Sequence, residues 1–353
     1  MAFGTSGAVG LDIGASAVRL AHVSGPAGSR TLLNFGQAAL PAGAVVDGEI
    51  RDPGAVSEAI AQLWKRTKLK SKRAVVGVAN QRVVVRQIDL PFLEEKELRS
   101  SLRFQAADHI PMSVEDAQLD FVVIDDYMNH AQEHMMRVLL VAAATDMIES
   151  FVAAAAAGGV EAAGIDLTPF AVARAVSSVA RGESGSAGSE AVVDVGGGVT
   201  NILIHHNGES RFVRILLTGG DDLTSELADQ LGLSYEEAEA LKLDVATGLG
   251  SEQARSVLDR QVDRLVEEIR GSLDYYLSQE DSEPVSSVIL TGGGSLTDGL
   301  AQKLERALKT PTSRGEPLSQ LNARRSGLSS EQIDQVQPVA AAAVGLALGG
   351  LPK

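Results

Sequence analysis

The chain has 353 residues, of which 44% are hydrophobic, with a formal net charge of −15 and no cysteine. This length allows two lobes with separate cores, and the lack of cysteine excludes disulfides and thiolate metal sites. The acidic balance argues against a general affinity for nucleic acid, which depends on Lys and Arg.

The first stretch of the chain predicts strands on either side of one helix. We predict strands within 9–23, around LDIGASAVRLAHV, and at 31–35, a helix at 54–66, and two strands within 74–90. The basic run KRTKLKSKR (65–73) follows the helix. Such a run is more typical of a solvated helix end and loop than of a phosphate-binding patch.

A compact α+β unit comes next. Apolar residues recur every four positions from Glu94 to His109, which predicts a helix that Pro111 terminates. Two strands and an Ala-rich helix continue the unit, at 117–125, 136–144 and 146–158. Roughly seventy residues are few for a free domain, so we interpret the unit as an insertion.

The second half contains a glycine turn between two strands. A strand at 160–167, a helix at 168–181 and a flexible linker at 181–190 lead to AVVDVGGGVTNILIHHNG (191–208). Three glycines are followed there by another strand instead of a helix, and the Asn-Gly pair at its end predicts a hairpin. A helix-rich block, a strand with a second glycine triplet, a helix and a buried terminal helix follow, at 222–279, 285–294, 297–308 and 339–351.

Two of these segments repeat each other. VGLDIGASAVRLAHV and AVVDVGGGVTNILIH align without gaps, with Asp12 on Asp194 and Gly14 on Gly196. Each copy is a strand, an Asp-x-Gly turn and a second strand. A duplication with so long a period predicts two similar lobes that face each other across a cleft.

The chemistry of the repeated turn suggests phosphate binding. Glycines let successive backbone N–H groups approach an anion. An aspartate next to a phosphate is favourable only with a cation between them, so we predict a water-mediated Mg²⁺ at Asp12 and Asp194. Rossmann and P-loop sites require glycines that open a helix, and neither turn does so. A tight hairpin without a ligand is the alternative for each copy alone.

Three glycine-containing segments resemble loops of the actin-like ATPase superfamily. LDIGASAVR and VVDVGGGVTNI resemble its two phosphate loops, VILTGGGSLTDGL (288–300) its adenosine loop, and LLTGGDDLTSEL (216–227) the entry to its mobile upper subdomain. Longer segments resemble the PilM family of type IV pilus assembly, an FtsA-like branch: IDLPFLEEKELRSSLRFQAADHIPMSVEDAQLDFVV (88–123), GIDLTPFA (164–171) and VAAAAVGLALGGL (339–351).

The resemblance implies an α/β, actin-like two-lobed fold. Duplicated RNase-H-like subdomains would carry a small α+β insertion in lobe 1 and a helical subdomain in lobe 2. The implied division is 1–92, 164–189 and 336–353 for the lobe 1 core, 93–163 for the insertion, 190–218 and 286–335 for the lobe 2 core, and 219–285 for the helical subdomain.

The resemblance also implies ATP and Mg²⁺ between the lobes. Besides the two metal-binding aspartates, the implied phosphate contacts are Gly14, Ser16, Gly196, Gly197, Gly198 and Thr200, and the implied adenosine contacts are Gly292, Gly293 and Gly294. Glu239 and Lys242 would contact the ribose, with a surface i,i+3 ion pair as the alternative. Arg19 stands where the family usually has Lys, and it either reaches a phosphate or lies on the strand face.

Members of this family grip the cytoplasmic N-terminal tail of PilN, in a groove between the lobe 1 core and the insertion. We therefore expect a cytoplasmic, nucleotide-binding scaffold of a type IV pilus or a type II secretion-like machine. It would have weak or no ATPase activity, some capacity for self-association, and contact with the inner membrane only through its partner.

Two other functions stay open on the sequence. A sugar-kinase-like phosphotransferase would need a carboxylate base, for which Asp166 is the candidate, although aspartate commonly has a role at a helix entry. An FtsA-like polymerising tether would need a basic amphipathic helix, which LPK after an Ala/Gly helix does not provide. No catalytic residue is assigned.

Overall fold

Two five-stranded sheets, one from each copy of the repeated motif, form the frame of the fold. The computed structural model describes residues 7–179, 182, 188–279 and 282–352. The predicted linker at 181–190 lies mostly outside these residues. Within the described ranges, none of the helices combines the length and the apolar character that a membrane span requires.

The first half of the chain alternates between strands and helices. Its elements are β1 (Ala8–Ile13), β2 (Ala17–Ser24), β3 (Thr31–Ala39), β4 (Val45–Val46), β5 (Glu49–Ile50), α1 (Pro53–Thr67), β6 (Arg73–Val78), β7 (Val83–Pro91), α2 (Glu95–Ala106), β8 (Ala117–Met128), β9 (His134–Ala144), α3 (Thr145–Ala157), β10 (Glu161–Leu167) and α4 (Thr168–Val176).

The second half begins with a three-stranded meander and continues with helices. Its elements are β11 (Ser189–Val195), β12 (Thr200–His206), β13 (Glu209–Leu216), α5 (Gly220–Leu231), α6 (Tyr235–Ala246), α7 (Glu252–Leu277), β14 (Val285–Thr291), α8 (Leu300–Leu308), β15 (Thr312–Arg314) and α9 (Ser330–Gly349). Short 3₁₀ turns occur at Val114–Asp116, Gly293–Leu296 and Ala323–Arg325.

The two sheets have the same strand order. The first runs β3-β2-β1-β6-β10 and the second β13-β12-β11-β14-β15. In both, the strand that carries the aspartate pairs antiparallel with its hairpin partner and parallel with a later strand. The duplication predicted from the aligned motifs is therefore present in the topology.

The insertion has its own sheet and core. β7, β9 and β8 form a three-stranded antiparallel sheet, against which α2 packs through Leu98 and Leu102. The ends of this unit differ from the predicted 93–163, because β7 already belongs to its sheet, whereas α3 packs on the first core and β10 pairs with β6. The sheet unit therefore spans 83–144.

Helices α4 and α9 lie between the two large sheets. Their small side chains, such as Val172 and Ala343, share one buried cluster with Ala21 of the first sheet and Leu203 of the second. The terminal buried helix is confirmed, but it begins at Ser330, where Ser329 and Gln332 form a capping box. Conversely, α4 ends at Val176, before the predicted 181.

The crossing of α4 and α9 generates a stability prediction. A Cβ added at Gly345 of α9 would lie 1.7 Å from the carbonyl oxygen of Ala171, so Gly345→Ala should force the helices apart. We expect its free energy of unfolding to fall by roughly 1–3 kcal/mol, as measured by urea unfolding followed by circular dichroism.

Gly271 provides the matched control. It lies within α7 and faces open space, so Gly271→Ala should raise the free energy of unfolding by up to about 1 kcal/mol through helix propensity alone. Stabilisation by both substitutions would contradict the close helix crossing.

Candidate functional site

A cavity of about 590 Å³ lies where the two sheets face each other. The predicted site residues that line it are Asp12, Gly14, Ser16, Asp194, Gly196, Gly197, Gly198, Glu239, Lys242, Gly292, Gly293 and Gly294. Segments far apart in sequence therefore converge on one space. Its volume is in the range of small-molecule and cofactor sites.

Thr200 is the predicted site residue that lies outside this lining. Its side chain is fully buried, and Oγ1 donates to the carbonyl oxygen of Thr218 at 2.7 Å. Thr218 precedes α5, so the hydroxyl connects the second glycine turn to the entry of the helical subdomain. Thr200 thus stabilises the turn from the side that faces away from the cavity.

The two aspartates have equivalent surroundings with different partners. Asp12 Oδ2 lies 3.7 Å from Arg19 Nη1, whereas Asp194 Oδ2 accepts a hydrogen bond of 3.1 Å from Asn201 Nδ2. Arg19 and Asn201 occupy the same position in the aligned repeats. One copy thus offers its carboxylate a cation, and the other offers a neutral amide.

Burial makes both carboxylates costly to ionise. It raises the pKa of Asp12, against which Arg19 acts in the opposite direction. It raises the pKa of Asp194 to about 6, where the Asn201 hydrogen bond opposes the shift and the nearby Asp12 charge adds to it. A cation between these carboxylates would favour the ionised form of both.

Two buried polar atoms of the cavity lining also lack a hydrogen-bond partner among the described residues. Arg19 Nε and Asn201 Oδ1 make no hydrogen bond there, although buried polar groups are nearly always paired. They belong to the same side chains that accompany the two aspartates. The unpaired N–H donor and the unpaired amide oxygen lie beside two carboxylates. Together these groups fit a metal ion with an anionic ligand that forms hydrogen bonds.

The glycine turns lie against each other and against α5. A Cβ added at Gly197 would lie 3.2 Å from Ala15 Cβ and 2.9 Å from Asp221 Oδ1. The carbonyl oxygens of Gly196 and Gly197 accept from the first N–H groups of α5 at 2.9 Å. Larger residues would therefore close the space between the two turns.

The third glycine run packs onto the second turn. Gly292 has a φ of 87°, and a Cβ there would lie 2.2 Å from the carbonyl oxygen of Val195 and 2.6 Å from Asp194 Oδ1. Its N–H donates to the carbonyl oxygen of Pro338 in α9 at 2.8 Å. The run therefore connects the lobe 2 turn to the helix shared by both lobes.

Glu239 and Lys242 form an ion pair of 2.6 Å at the cavity wall. Lys242 Nζ also donates to the carbonyl oxygen of Gly220 and to Thr224 Oγ1, at 3.0 and 2.6 Å, and its side chain is only 14% exposed. The pair connects α6 to α5. The i,i+3 ion pair considered as the alternative is therefore present, and both of its residues line the cavity.

Asp221 is a cavity residue that the sequence did not identify. Burial raises its pKa, while a hydrogen bond of 3.1 Å from the Tyr235 hydroxyl opposes that shift. Its neighbour Asp222 accepts from the backbone N–H of Gly219 at 2.7 Å and caps the helix. The Asp-Asp pair after GG was the available signal, because a helix start needs only one capping carboxylate.

Asp166 lies outside the cavity lining. Its Oδ2 accepts from Arg174 Nη1 at 2.9 Å, and the same nitrogen donates to the carbonyl oxygen of Gly345 at 2.8 Å. This carboxylate therefore joins β10, α4 and α9. Its contacts are structural.

Comparison with known proteins gives a family match across the chain. The family model described as "Type IV pilus assembly protein PilM" matches residues 10–351. A solved structure described as a PilM-PilN type IV pilus biogenesis complex is 26% identical, with a TM-score of 0.87 over 99% of this chain and 100% of that chain.

More distant structures share the fold. EutJ from Carboxydothermus hydrogenoformans is 16% identical, with a TM-score of 0.58 over 97% of this chain and 89% of that chain. ADP-bound MreB5 of Spiroplasma citri is 13% identical, with a TM-score of 0.51 over 89% of this chain and 92% of that chain. These likenesses confirm the predicted actin-like α/β fold.

Curated relatives match over shorter stretches. The cell division protein FtsA of Neisseria meningitidis is 25% identical over 148 residues, which are 36% of this chain and 36% of that protein. FtsA of Pseudomonas aeruginosa is 27% identical over 184 residues, which are 46% of this chain and 42% of that protein. The matched stretch thus spans less than half of either relative.

The raised pKa of Asp194 predicts an effect on stability. Between the ordinary pKa of 3.8 and about 6, the unfolded chain has lost the proton that the folded state keeps. The stability of the ligand-free protein should therefore fall as pH rises through this window. Asp194→Asn should raise the free energy of unfolding at about pH 7 by roughly 1–3 kcal/mol, and the gain should vanish below about pH 4.

Urea unfolding at about pH 4 and about pH 7, on either side of this titration, measures the effect. Asp229→Asn, at an exposed position of α5, is the control and should show no such pH-dependent gain. An Asp194→Asn variant with the same pH dependence as the unmodified protein would contradict the burial argument.

Proposed function

This chain belongs to the family of the type IV pilus assembly protein PilM, and from that premise we propose that it is a nucleotide-binding scaffold of the pilus assembly complex. ATP with Mg²⁺ would bind between the lobes and favour one arrangement of them. Its effect would be to change the affinity for a partner, which is coupling between two sites. The observation that carries the proposal is the convergence of both glycine turns and both buried aspartates on one cavity.

The residues of the cavity fit a nucleotide with its metal. Asp12 and Asp194 would hold Mg²⁺ through water, which suits a metal that keeps much of its hydration shell. Bound there, Mg²⁺ would neutralise charge between carboxylates and phosphates. The N–H groups of Ser16, Gly197 and Gly198 would face the phosphate oxygens. Those of Gly14 and Gly196 close their own turns, by donating to the carbonyl oxygens of Ala17 and Val199 at 3.1 and 2.9 Å. Support comes from MreB5, which shares the fold and whose solved structure is bound to ADP.

Another part of the cavity lining fits the nucleoside. Glu239 would accept from ribose hydroxyls, while Lys242, held by three oxygen contacts, keeps that carboxylate in place. Gly293 and Gly294 line the cavity without side chains that would obstruct a base. Thr200 lies outside the cavity lining and would support the second phosphate turn through its hydrogen bond to Thr218.

The contacts of Asp166 favour a scaffold over a phosphotransferase. This base candidate is engaged by Arg174 and lies outside the cavity, whereas a general base must reach its substrate hydroxyl. We therefore propose weak or no ATPase activity. A terminal-helix tether of the FtsA type is also disfavoured, because Ala340 to Ala347 of α9 are buried.

The proposed partner is the cytoplasmic N-terminal tail of a PilN-type membrane protein. Support comes from the match to a PilM-PilN complex over nearly the whole chain. The tail would lie in a groove between the lobe 1 core and the insertion, so that the protein reaches the inner membrane from the cytoplasmic side through this partner. Self-association stays a prediction.

A peptide titration tests the scaffold. A PilN-type N-terminal peptide should bind the full chain, and Mg·ATP should change its dissociation constant by about 5-fold or more, as measured by calorimetry with a scrambled peptide as control. Absence of peptide binding with and without Mg·ATP would refute the scaffold. Rapid phosphorylation of a small alcohol would support the phosphotransferase instead.

A variant tests the metal assignment. Asp194→Asn removes a metal-facing charge and should weaken Mg·ATP binding by about 10-fold or more, while peptide affinity without nucleotide stays unchanged. Asp229→Asn at the surface is the matched control. Unaltered Mg·ATP affinity in Asp194→Asn would refute the role given to the second turn.

A further inference from the structure

The basic run at 65–73 is not used by the proposed nucleotide site. It includes Lys65, Arg66, Lys68, Lys70 and Lys72, and the chain has no Asp or Glu between 59 and 88. In a protein with a formal net charge of −15, this is an unusual concentration of one sign. We call these five side chains the basic corner.

The local fold brings the basic corner together. Helix α1 ends at Thr67, and Lys68 follows with a φ of 52°, which turns the chain. The indole N–H of buried Trp64 donates to the carbonyl oxygen of Ser71 at 2.8 Å. This bond holds the loop against the end of the helix, so that loop and helix cations occupy one corner of lobe 1.

Alternation along the loop directs the lysines outward. Leu69 packs against the first core, and Ser71 is also partly buried. Lys68, Lys70 and Lys72, at the intervening positions, are exposed. This period of two is the one expected when a segment has one buried side and one solvent side. The three loop lysines therefore point away from the lobe.

The five cations form no ion pair within the described part of the chain, whereas many cations elsewhere do. Arg73, next to the corner, lies 3.1 Å from Glu161, Arg137 lies 2.9 Å from Asp89, and Lys303 contacts two aspartates. The helix macrodipole accounts for basic residues in the last turn of α1, but it does not account for the three loop lysines.

The basic corner lies at the edge of the lobe opposite to the cavity. It immediately precedes the first residue of β6, which runs parallel to β1, so the corner lies at the end of the sheet where β1 begins. Asp12, which lines the cavity, is near the end of β1. A surface that contacts the corner would therefore leave the nucleotide cavity open. It would also meet the lobe 1 core, to which the proposed partner groove belongs.

We propose that the basic corner binds the surface of an anionic phospholipid bilayer. Clusters of four to eight Lys and Arg side chains attract such surfaces, and a molecule this acidic can approach one only through a surface of opposite sign. A single-stranded nucleic acid would favour exposed aromatics for stacking, but Trp64 is buried and its N–H is engaged. Lipid binding rests on the proposed function in placing the protein beside a membrane.

Vesicle sedimentation of the full chain, without nucleotide or PilN peptide, tests the proposal. The protein should sediment with phosphatidylcholine vesicles that contain about one third phosphatidylglycerol, and not with phosphatidylcholine alone. Binding should fall by about 5-fold or more between roughly 0.05 and 0.5 M salt, because the attraction is screened. Salt-independent sedimentation, or equal binding to both vesicles, would overturn it.

Paired variants make the assignment specific. Lys68→Glu/Lys70→Glu should reduce binding to the anionic vesicles by about 10-fold or more. The control is Arg306→Glu/Lys309→Glu, which has the same charge change at exposed positions at the end of α8; Lys309, like Lys68, follows its helix with a positive φ. Equal losses in both variants would show a net-charge effect and overturn the proposal.

Two further measurements separate other outcomes. The Mg·ATP affinity of Lys68→Glu/Lys70→Glu should equal that of the unmodified protein. This result would show that the substitutions leave the nucleotide cavity intact. Retention of a DNA duplex with no vesicle binding would assign the corner to nucleic acid, and salt-dependent self-association lost in the variant would assign it to a second copy. Either result would overturn lipid binding without affecting the nucleotide and PilN proposals.

Discussion

Two buried carboxylates of like charge are the constraint around which the cavity is organised. Each stands at the end of an equivalent strand, but the duplication has become chemically asymmetric. Arg19 supplies Asp12 with a cation, whereas Asn201 gives Asp194 only an amide hydrogen bond. Burial raises the pKa of both carboxylates, to about 6 for Asp194, and the partners Arg19 and Asn201 oppose that shift. Lobe 1 thus supplies a cation beside its own aspartate, whereas lobe 2 supplies a neutral hydrogen-bond donor.

Much of the frame could be predicted from the sequence, because its signals are local. The aligned motifs around Asp12 and Asp194 indicated two equivalent sheets, and strand after glycine, instead of helix, excluded the common nucleotide loops. The small-residue run of α9 indicated a buried helix. In each case the residues that form the element also carry the pattern.

Features that depend on packing between distant segments were missed or misplaced. β7 has the same apolar pattern whichever sheet it joins, so the sequence could not assign it to the insertion. Thr200 was expected at a phosphate, but its hydroxyl donates to the carbonyl oxygen of Thr218. Asp221 lines the cavity, whereas its neighbour Asp222 accepts from the backbone N–H of Gly219. The contacts of such side chains depend on residues that are distant in sequence, and a spacing pattern does not contain that information.

The position of α9 has a consequence for how the protein is made. This helix covers the inner faces of both sheets, including strands near the beginning of the chain. During synthesis, the first sheet therefore emerges long before the helix that completes its core. Contacts so distant in sequence slow folding and leave apolar surface open to aggregation. The core of lobe 1 is thus complete only after α9 has been synthesised, and its early strands must remain soluble until then.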